Sequence, residues 1–312
     1  MVSTKSINSF RREDKTLKSK GEKSQPIAYL LLLPTFLFLI VFSYTPAVQA
    51  ILYSFTDWDG FNAPSFIGFD NFIEVFQDPV MLQSFENLLI WTGITLVIGL
   101  IVPFIGAELI FHLKSKGSQY WYRVLFVIPM VIPGMVTLLI WGFIYEPNIG
   151  LLNNFLRVIG LGHMTNDWLS NPGTALFSLA FIGFPWISGL NFLIYYAGLQ
   201  NISESILESA MLDGCKTLTR VFRIDIPLLR GQFKLLLILG LIGGLQNVTT
   251  PLVLTNGGPG YDTYVPGLYM YVSAFQQSRF GYAMAISIIL FLITILLTVI
   301  NLKFVKTDTD GM

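Results

Sequence analysis

The sequence predicts an all-α, polytopic membrane protein with six transmembrane helices and one long cytoplasmic loop. Three observations carry that reading. Hydrophobic residues fill 53% of the 312 positions and charged residues only 12%, about half the charge of an ordinary soluble domain. The mean hydropathy is +0.63. The charges are also clustered, which leaves six long uncharged windows. This balance excludes a disordered, collagen-like or disulfide-stapled chain. A formal net charge of zero offers no basic excess for nucleic acid. The one cysteine, Cys215, has no partner for an intrachain disulfide.

The windows are 24–56, 87–107, 124–145, 168–203, 235–261 and 280–302. Each exceeds the roughly 20 residues that a helix needs to cross about 30 Å of hydrocarbon. The expected spans are 27–49, 87–110, 123–145, 173–196, 232–254 and 281–304. Barrel strands are shorter and alternate, so helices are the only fit. Pro34, Pro103, Pro129, Pro133, Pro185 and Pro251 fall inside the windows; neighbouring helices can satisfy the carbonyls that they free. Val48-Gln49-Ala50 resembles a signal-cleavage site. The apolar run before it is too long for a signal peptide, so cleavage is not expected.

Basic residues set the orientation. With both termini in the cytoplasm, the leader 1–26, the stretches 111–123 and 197–234, and the tail hold 17 of the 19 Lys and Arg. Only Arg157 and Arg279 fall outside, as the positive-inside rule requires. The chain then divides into a basic leader 1–26, a six-span domain 27–305 and a tail 306–312. Glu108 is the one acid within a span. An acid there is a candidate for proton coupling, but His112 and Lys114 lie about a turn away, and the interface is within its reach. Trp121, Tyr122 and Tyr145 are expected in the aromatic interface belt.

The inner segment between the fourth and fifth spans, 198–230, is unusually long. Asn201 with Glu204, or Ser205 with Glu208, can cap a helix. Ile206, Leu207, Ala210 and Met211 give it an apolar face, and Asp213-Gly214 ends it. Thr217 can cap a second helix with Leu218, Val221 and Phe222 on one face, which Pro227 ends. Such a pair can lie on lipid headgroups or plug a groove in a partner.

The strings here resemble a known family. Glu208-Ser209-Ala210, three residues, Gly214, nine residues and Ile224-Asp225-Ile226-Pro227 follow the EAA signature of membrane subunits of binding-protein-dependent ABC importers. Residues 195–229 look like the form found in carbohydrate permeases. LTNGGPGYDT, 254–263, resembles the family's Thr-Gly-Gly-Gly-Pro motif, and 280–293 resembles its last helix. The departures are Ser209 for Ala, Ser203 where Pro is common, and Asn256 within the glycine motif.

The resemblance implies a coupling helix. Glu208 would sit near the cleft of an ATPase subunit, and Ser209 and Ala210 would keep the helix thin. Gly214 would turn the chain back, and Ile224 and Pro227 would anchor the return. It further implies a bacterial or archaeal cytoplasmic membrane, a second permease subunit, two ATPases and an extracytoplasmic sugar-binding protein. ATP and Mg would be bound by the partner ATPase, and this chain would hold no cofactor. The chain is expected not to be an enzyme: the nearest string to a P-loop, Gly214-Cys215-Lys216-Thr217, lacks the glycine before the lysine. His112 and His163 fall on opposite sides of the membrane, so they form no metal site.

A sugar path wants amides and aromatic planes. The candidates are Trp186 and Asn191 on the fourth span, and Gln246, Asn247 and Thr250 on the fifth. Interhelical hydrogen bonding is the alternative role for the amides. The outer loops 50–86, 146–172 and 255–280 would meet the binding protein. A permease for glycerol phosphate, an amino acid or a peptide fits the inner loop too, and only the sugar-like strings argue against it. A carrier that uses Glu108 as a proton relay is the reading from a different class.

Overall fold

The computed structural model describes residues 26–304, all helix and turn apart from an isolated bridge between Thr56 and Phe66. The leader's basic cluster and the tail beyond Phe304, including Lys306, lie outside the described residues. Helix α1 (Pro26–Leu39) passes through a π-turn (Ile40–Tyr44) into α2 (Thr45–Tyr53). The wide turn precedes Pro46 and gives room for a ring that an ordinary helix would crowd. Every side chain from 29 to 49 is exposed, which suits an apolar rod bathed in hydrocarbon. Among the described residues, 26–49 and 50–304 form two compact units.

The second unit is built on one long helix. After α3 (Asp70–Gln77) comes α4 (Pro79–Phe111), 33 residues and about 50 Å at 1.5 Å per residue. Asp78 caps it, accepting from the Val80 and Met81 N–H groups at 2.8 and 3.4 Å, with Pro79 in the first turn. Its chain-terminal half packs Phe104, Ala107 and Ile110 on Phe192, Tyr195 and Leu199. Its first half packs Leu88 and Trp91 on Leu176, Leu245 and Leu268. Pro103 is buried within the helix.

Next come α5 (Lys116–Val127), a 3-10 turn (Ile128–Val131), α6 (Gly134–Ile144), α7 (Leu151–Val158), α8 (Ala175–Phe181) and α9 (Gly189–Gln200). The loop helices are α10 (Glu204–Leu212), α11 (Thr217–Arg220), a π-turn (Val221–Asp225) and α12 (Ile226–Leu228). The chain ends with α13 (Arg230–Leu245), α14 (Thr249–Leu254), α15 (Pro266–Phe275) and α16 (Phe280–Phe304).

Among the described residues, three helices are long and apolar enough to cross a bilayer: Tyr29–Tyr53, Pro79–Phe111 and Phe280–Lys303. The third expected span is a pair bent by 92°, with Pro129 and Pro133 at the break. The fourth is broken into α8 and α9 around Pro185, each too short to cross alone. The fifth stops at Leu245 rather than 254, and α14 is a separate short helix. Tyr145 is not in an interface belt. It is 2% exposed, and its hydroxyl donates to the Ser178 carbonyl at 2.8 Å. Trp121 and Tyr122 are exposed.

Candidate functional site

The 198–230 loop displays α10 as a short hook. Its first turn starts from Ser203 in extended conformation (ψ 139°), with no side-chain cap bond. The expected caps from Asn201 or Ser205 are therefore not used; the Ser203 and Ser205 hydroxyls bond each other at 3.1 Å. The hook ends in a Schellman turn. Cys215 N–H reaches the Ala210 carbonyl at 2.9 Å, and Gly214 N–H reaches Met211 at 3.0 Å. Gly214 sits at φ +67°, and a Cβ placed there would meet nothing within 4 Å.

The expected apolar face divides. Ala210 is buried and Leu207 half-buried, while Ile206 and Met211 are exposed. Glu208 is exposed, and the Ser209 hydroxyl is spent on the Ser205 carbonyl at 2.8 Å. Leu212, Leu218 and Phe222 are also largely exposed. The return strand runs from α11 to α12 and bends by 69° into α13. Thr217 is the first residue of α11 rather than its cap, a position Lys216 takes. Pro227 does not end the helix. It lies inside α12, just after the π-turn that gives its ring room. Ile224 and Pro227 are half-buried. Asp225 is fully buried and accepts from Arg220 Nε at 3.0 Å.

Halfway along α4 is a cavity of about 240 Å³, lined by Trp91, Thr95, Gly99, Asn191, Gly244 and Asn247 among others. Asn191 Nδ2 donates to the Gly99 carbonyl at 2.9 Å, and Asn247 Oδ1 accepts from Thr250 N–H at 3.3 Å. The Trp91 indole N–H is buried there without a hydrogen-bond partner. Asn191 and Asn247 thus come together. Gln246 faces the other way, into a largely apolar groove of about 480 Å³ along α16. Trp186, at φ +58°, packs on Phe181 and Phe184 and lines neither space, and Thr250 is buried and lines neither.

The opposite end of α4 is closed by polar bonds. Asn87 Nδ2 donates to the carbonyls of Tyr261 and Tyr264, both at 2.9 Å. Asp78 accepts from the Tyr269 and Tyr282 hydroxyls at 2.6 and 3.1 Å. Arg279 pairs with Glu74 and lies over the Tyr282 ring. In the 254–263 motif Asn256 takes φ +48° and Gly257 φ +86°. Asn is the side chain that best tolerates this region, so its presence keeps the left-handed turn.

Residues 99–306 match the family described as binding-protein-dependent transport system inner membrane component. The chain belongs to that family. Relatives extend over nearly the whole length of this permease. It is 34% identical to the probable ABC transporter permease protein YurN of Bacillus subtilis (strain 168) over 289 residues, 91% of this chain and 97% of that one. It is 31% identical to the sn-glycerol-3-phosphate transport system permease protein UgpA of Shigella flexneri, over 91% of this chain and 96% of that protein. A chain of a bacterial ABC transporter involved in the import of the acidic polysaccharide alginate superposes with a TM-score of 0.80 at 24% identity, covering 94% and 98% of the two chains. That likeness establishes the fold.

Membership makes this chain a transport component embedded in the inner membrane. Sequence reasoning missed three groups. Arg220 and Asp225 pair across five positions, a spacing that only the π-turn brings together. Trp91 lies in a uniformly apolar window, where one unpaired indole N–H leaves no pattern.

Proposed function

We propose that this chain is one of two permease subunits of an ATP-driven importer and forms the path for a sugar or oligosaccharide handed over by an extracytoplasmic binding protein. The chain passes the membrane six times within 27–305, with leader, tail and the 198–230 loop in the cytoplasm. In this reading α8 and α9 make one pass together. The observation that carries the proposal is the α10 hook. A capped helix with Gly214 at its tip, facing open space beside exposed Leu212, Leu218 and Phe222, is built to be received by another protein.

Two partner ATPases bind ATP and Mg. Their closure moves the hook, with Glu208, Ser209 and Ala210 at the contact and Ile224 and Pro227 in the return. The cavity then opens outward, accepts solute and resets on hydrolysis. Asn191 and Asn247 offer amides to hydroxyl groups, and Trp91 adds an aromatic wall. Gln246, Trp186 and Thr250 serve the path only if the helices rearrange to expose them.

Two relatives bear on the solute. One solved structure holds an alginate transporter with an alginate pentasaccharide-bound periplasmic protein, which supports a saccharide. The name of UgpA favours a glycerol phosphate as second reading. The cavity walls carry amides, a hydroxyl and an indole but neither Lys nor Arg, which suits an uncharged sugar better than a phosphate ester. The test is to purify the complex and identify the solute in its receptor by mass spectrometry. A saccharide is expected, whereas a phosphate ester overturns the choice of substrate. Uphill transport by the isolated chain in liposomes overturns the importer reading.

A further inference from the structure

Two carboxylates and one guanidinium lie where the loop packs on the end of α4. Asp225 is fully buried and Glu108 is 7% exposed. Arg220 donates from Nε to Asp225 Oδ2. Its guanidinium lies 5.5 Å from the ring centre of Phe111, three residues beyond Glu108 on α4. Val221 and Ile226, beside Arg220 and Asp225 in the chain, pack with Phe111 on the cluster that contains Ala107 and Ile110, the neighbours of Glu108 on α4. His112 Nδ1 lies 3.5 Å from Glu108 Oε2 but is closer, at 2.8 Å, to the Glu108 main-chain carbonyl. Glu108 is therefore packed inside the protein, with His112 beside it.

Four buried atoms here have no hydrogen-bond partner: both Glu108 carboxylate oxygens, Arg220 Nη2 and Asp225 Oδ1. Folded proteins satisfy nearly all such groups, and a buried charge with an incomplete partner set is costly. An unpaired donor and unpaired acceptors of opposite sign on the packed loop and helix leave room for a second arrangement, in which Arg220 bridges the two carboxylates. Glu108 shares its helix with Thr95 and Gly99, which line the cavity. Glu108 and Gly99 are nine residues apart, about 14 Å along the axis.

We propose that Arg220 is a positioning residue forming an ionic joint: it holds Asp225 alone in one state and bridges Asp225 to Glu108 in another, so that displacement of the α10 hook moves α4 and the wall of the cavity. The joint rests on the importer reading above. It replaces the notion of Glu108 as a proton relay with one of Glu108 as the acceptor of a moving guanidinium.

The experiment uses the assembled complex in liposomes and its receptor, purified with the solute it carries. ATP hydrolysis is measured with and without receptor. Arg220→Met and Glu108→Gln are expected to keep basal hydrolysis within about twofold and to lose about fivefold or more of the receptor stimulation. Arg220→Lys restores part of it, because the charge remains and the fork does not. The double variant Glu108→Gln/Arg220→Met loses no more than Arg220→Met alone, since both remove one contact. Should Arg220→Met fail to assemble, Glu108→Gln decides, because it leaves the Arg220–Asp225 pair intact. Full stimulation in Glu108→Gln, or additive losses in the double variant, overturns the joint alone. A parent chain that copurifies with no ATPase overturns the importer reading and the joint with it.

Discussion

The two ends of α4 solve opposite problems. At its start, Asn87, Asp78 and Gln83 are bonded to residues some 175 to 205 positions away, and the 254–263 turn is locked by a 2.7 Å contact between the Thr255 and Thr263 hydroxyls. At its finish, the loop contributes one buried ion pair with atoms left over, and the hook beyond it exposes its apolar side chains. Two glycines make the same point. Gly257 needs both its positive φ and its missing side chain, because a Cβ would lie 2.1 Å from the Tyr264 ring. Gly214 needs only its φ. One end is complete within the chain, and in the proposed importer the other is finished by a partner.

The contrast is broken most directly at Gly257. Gly257→Val should cost about 3 kcal/mol, from the left-handed backbone and the clash together. Thermal unfolding of the purified chain would then fall by several degrees; an unchanged melting temperature would mean that this end is not locked. Asn87→Ala leaves two carbonyls without donors and should cost about 2 kcal/mol, read in the same way. Gly214→Ala should cost about 1 kcal/mol for φ alone. Gly214→Asn, which tolerates that φ, should hold stability while uncoupling ATP use from uptake, and uptake per ATP at the parent level counts against the hook as the contact.

Replacing Leu218 and Phe222 together by Ser should move the stability of the chain by no more than about 0.5 kcal/mol, yet abolish copurification of the ATPase. Retained copurification would place the contact elsewhere. The smallest effect is on pH. Hydrogen bonds from the main chain of Asn62 and Phe61 hold the Asp59 carboxyl below its usual value, and those from Ile149 and Asn148 do the same for Glu146. A lowered folded value means that the stabilisation is present at neutral pH and is lost as pH falls through that value. Amide exchange at 61–62 and 148–149 should therefore quicken only below the ordinary carboxylate range, with no change at the hook.

Composition made the membrane class readable, and the uncharged windows located α16 closely and the end of α4, which starts at Pro79, eight residues before the expected 87, because its first turns carry Glu86. The windows did not show the breaks. Absence of charge reports the solvent a segment prefers and says nothing of its backbone, so the 92° bend at Pro129–Pro133 and the gap between α8 and α9 passed as spans. The hook was legible because Gly214 marks its end chemically. Its entry was not, since Ser203 uses main-chain geometry and no cap bond. Asn191 and Asn247 were separable from Gln246 only in three dimensions, because adjacent positions 246 and 247 open into different spaces.

The break between α8 and α9 has a consequence for how the polypeptide is made. Neither half, seven and twelve residues long, is able to bridge the hydrocarbon by itself. A ribosome-bound insertion machine meets the unbroken greasy stretch from 168 to 203 and can admit it as a single rod. The interruption, with Trp186 edge-on to the stacked rings of Phe181 and Phe184, is held in the folded chain by α4, on which Leu176 and Phe192 dock.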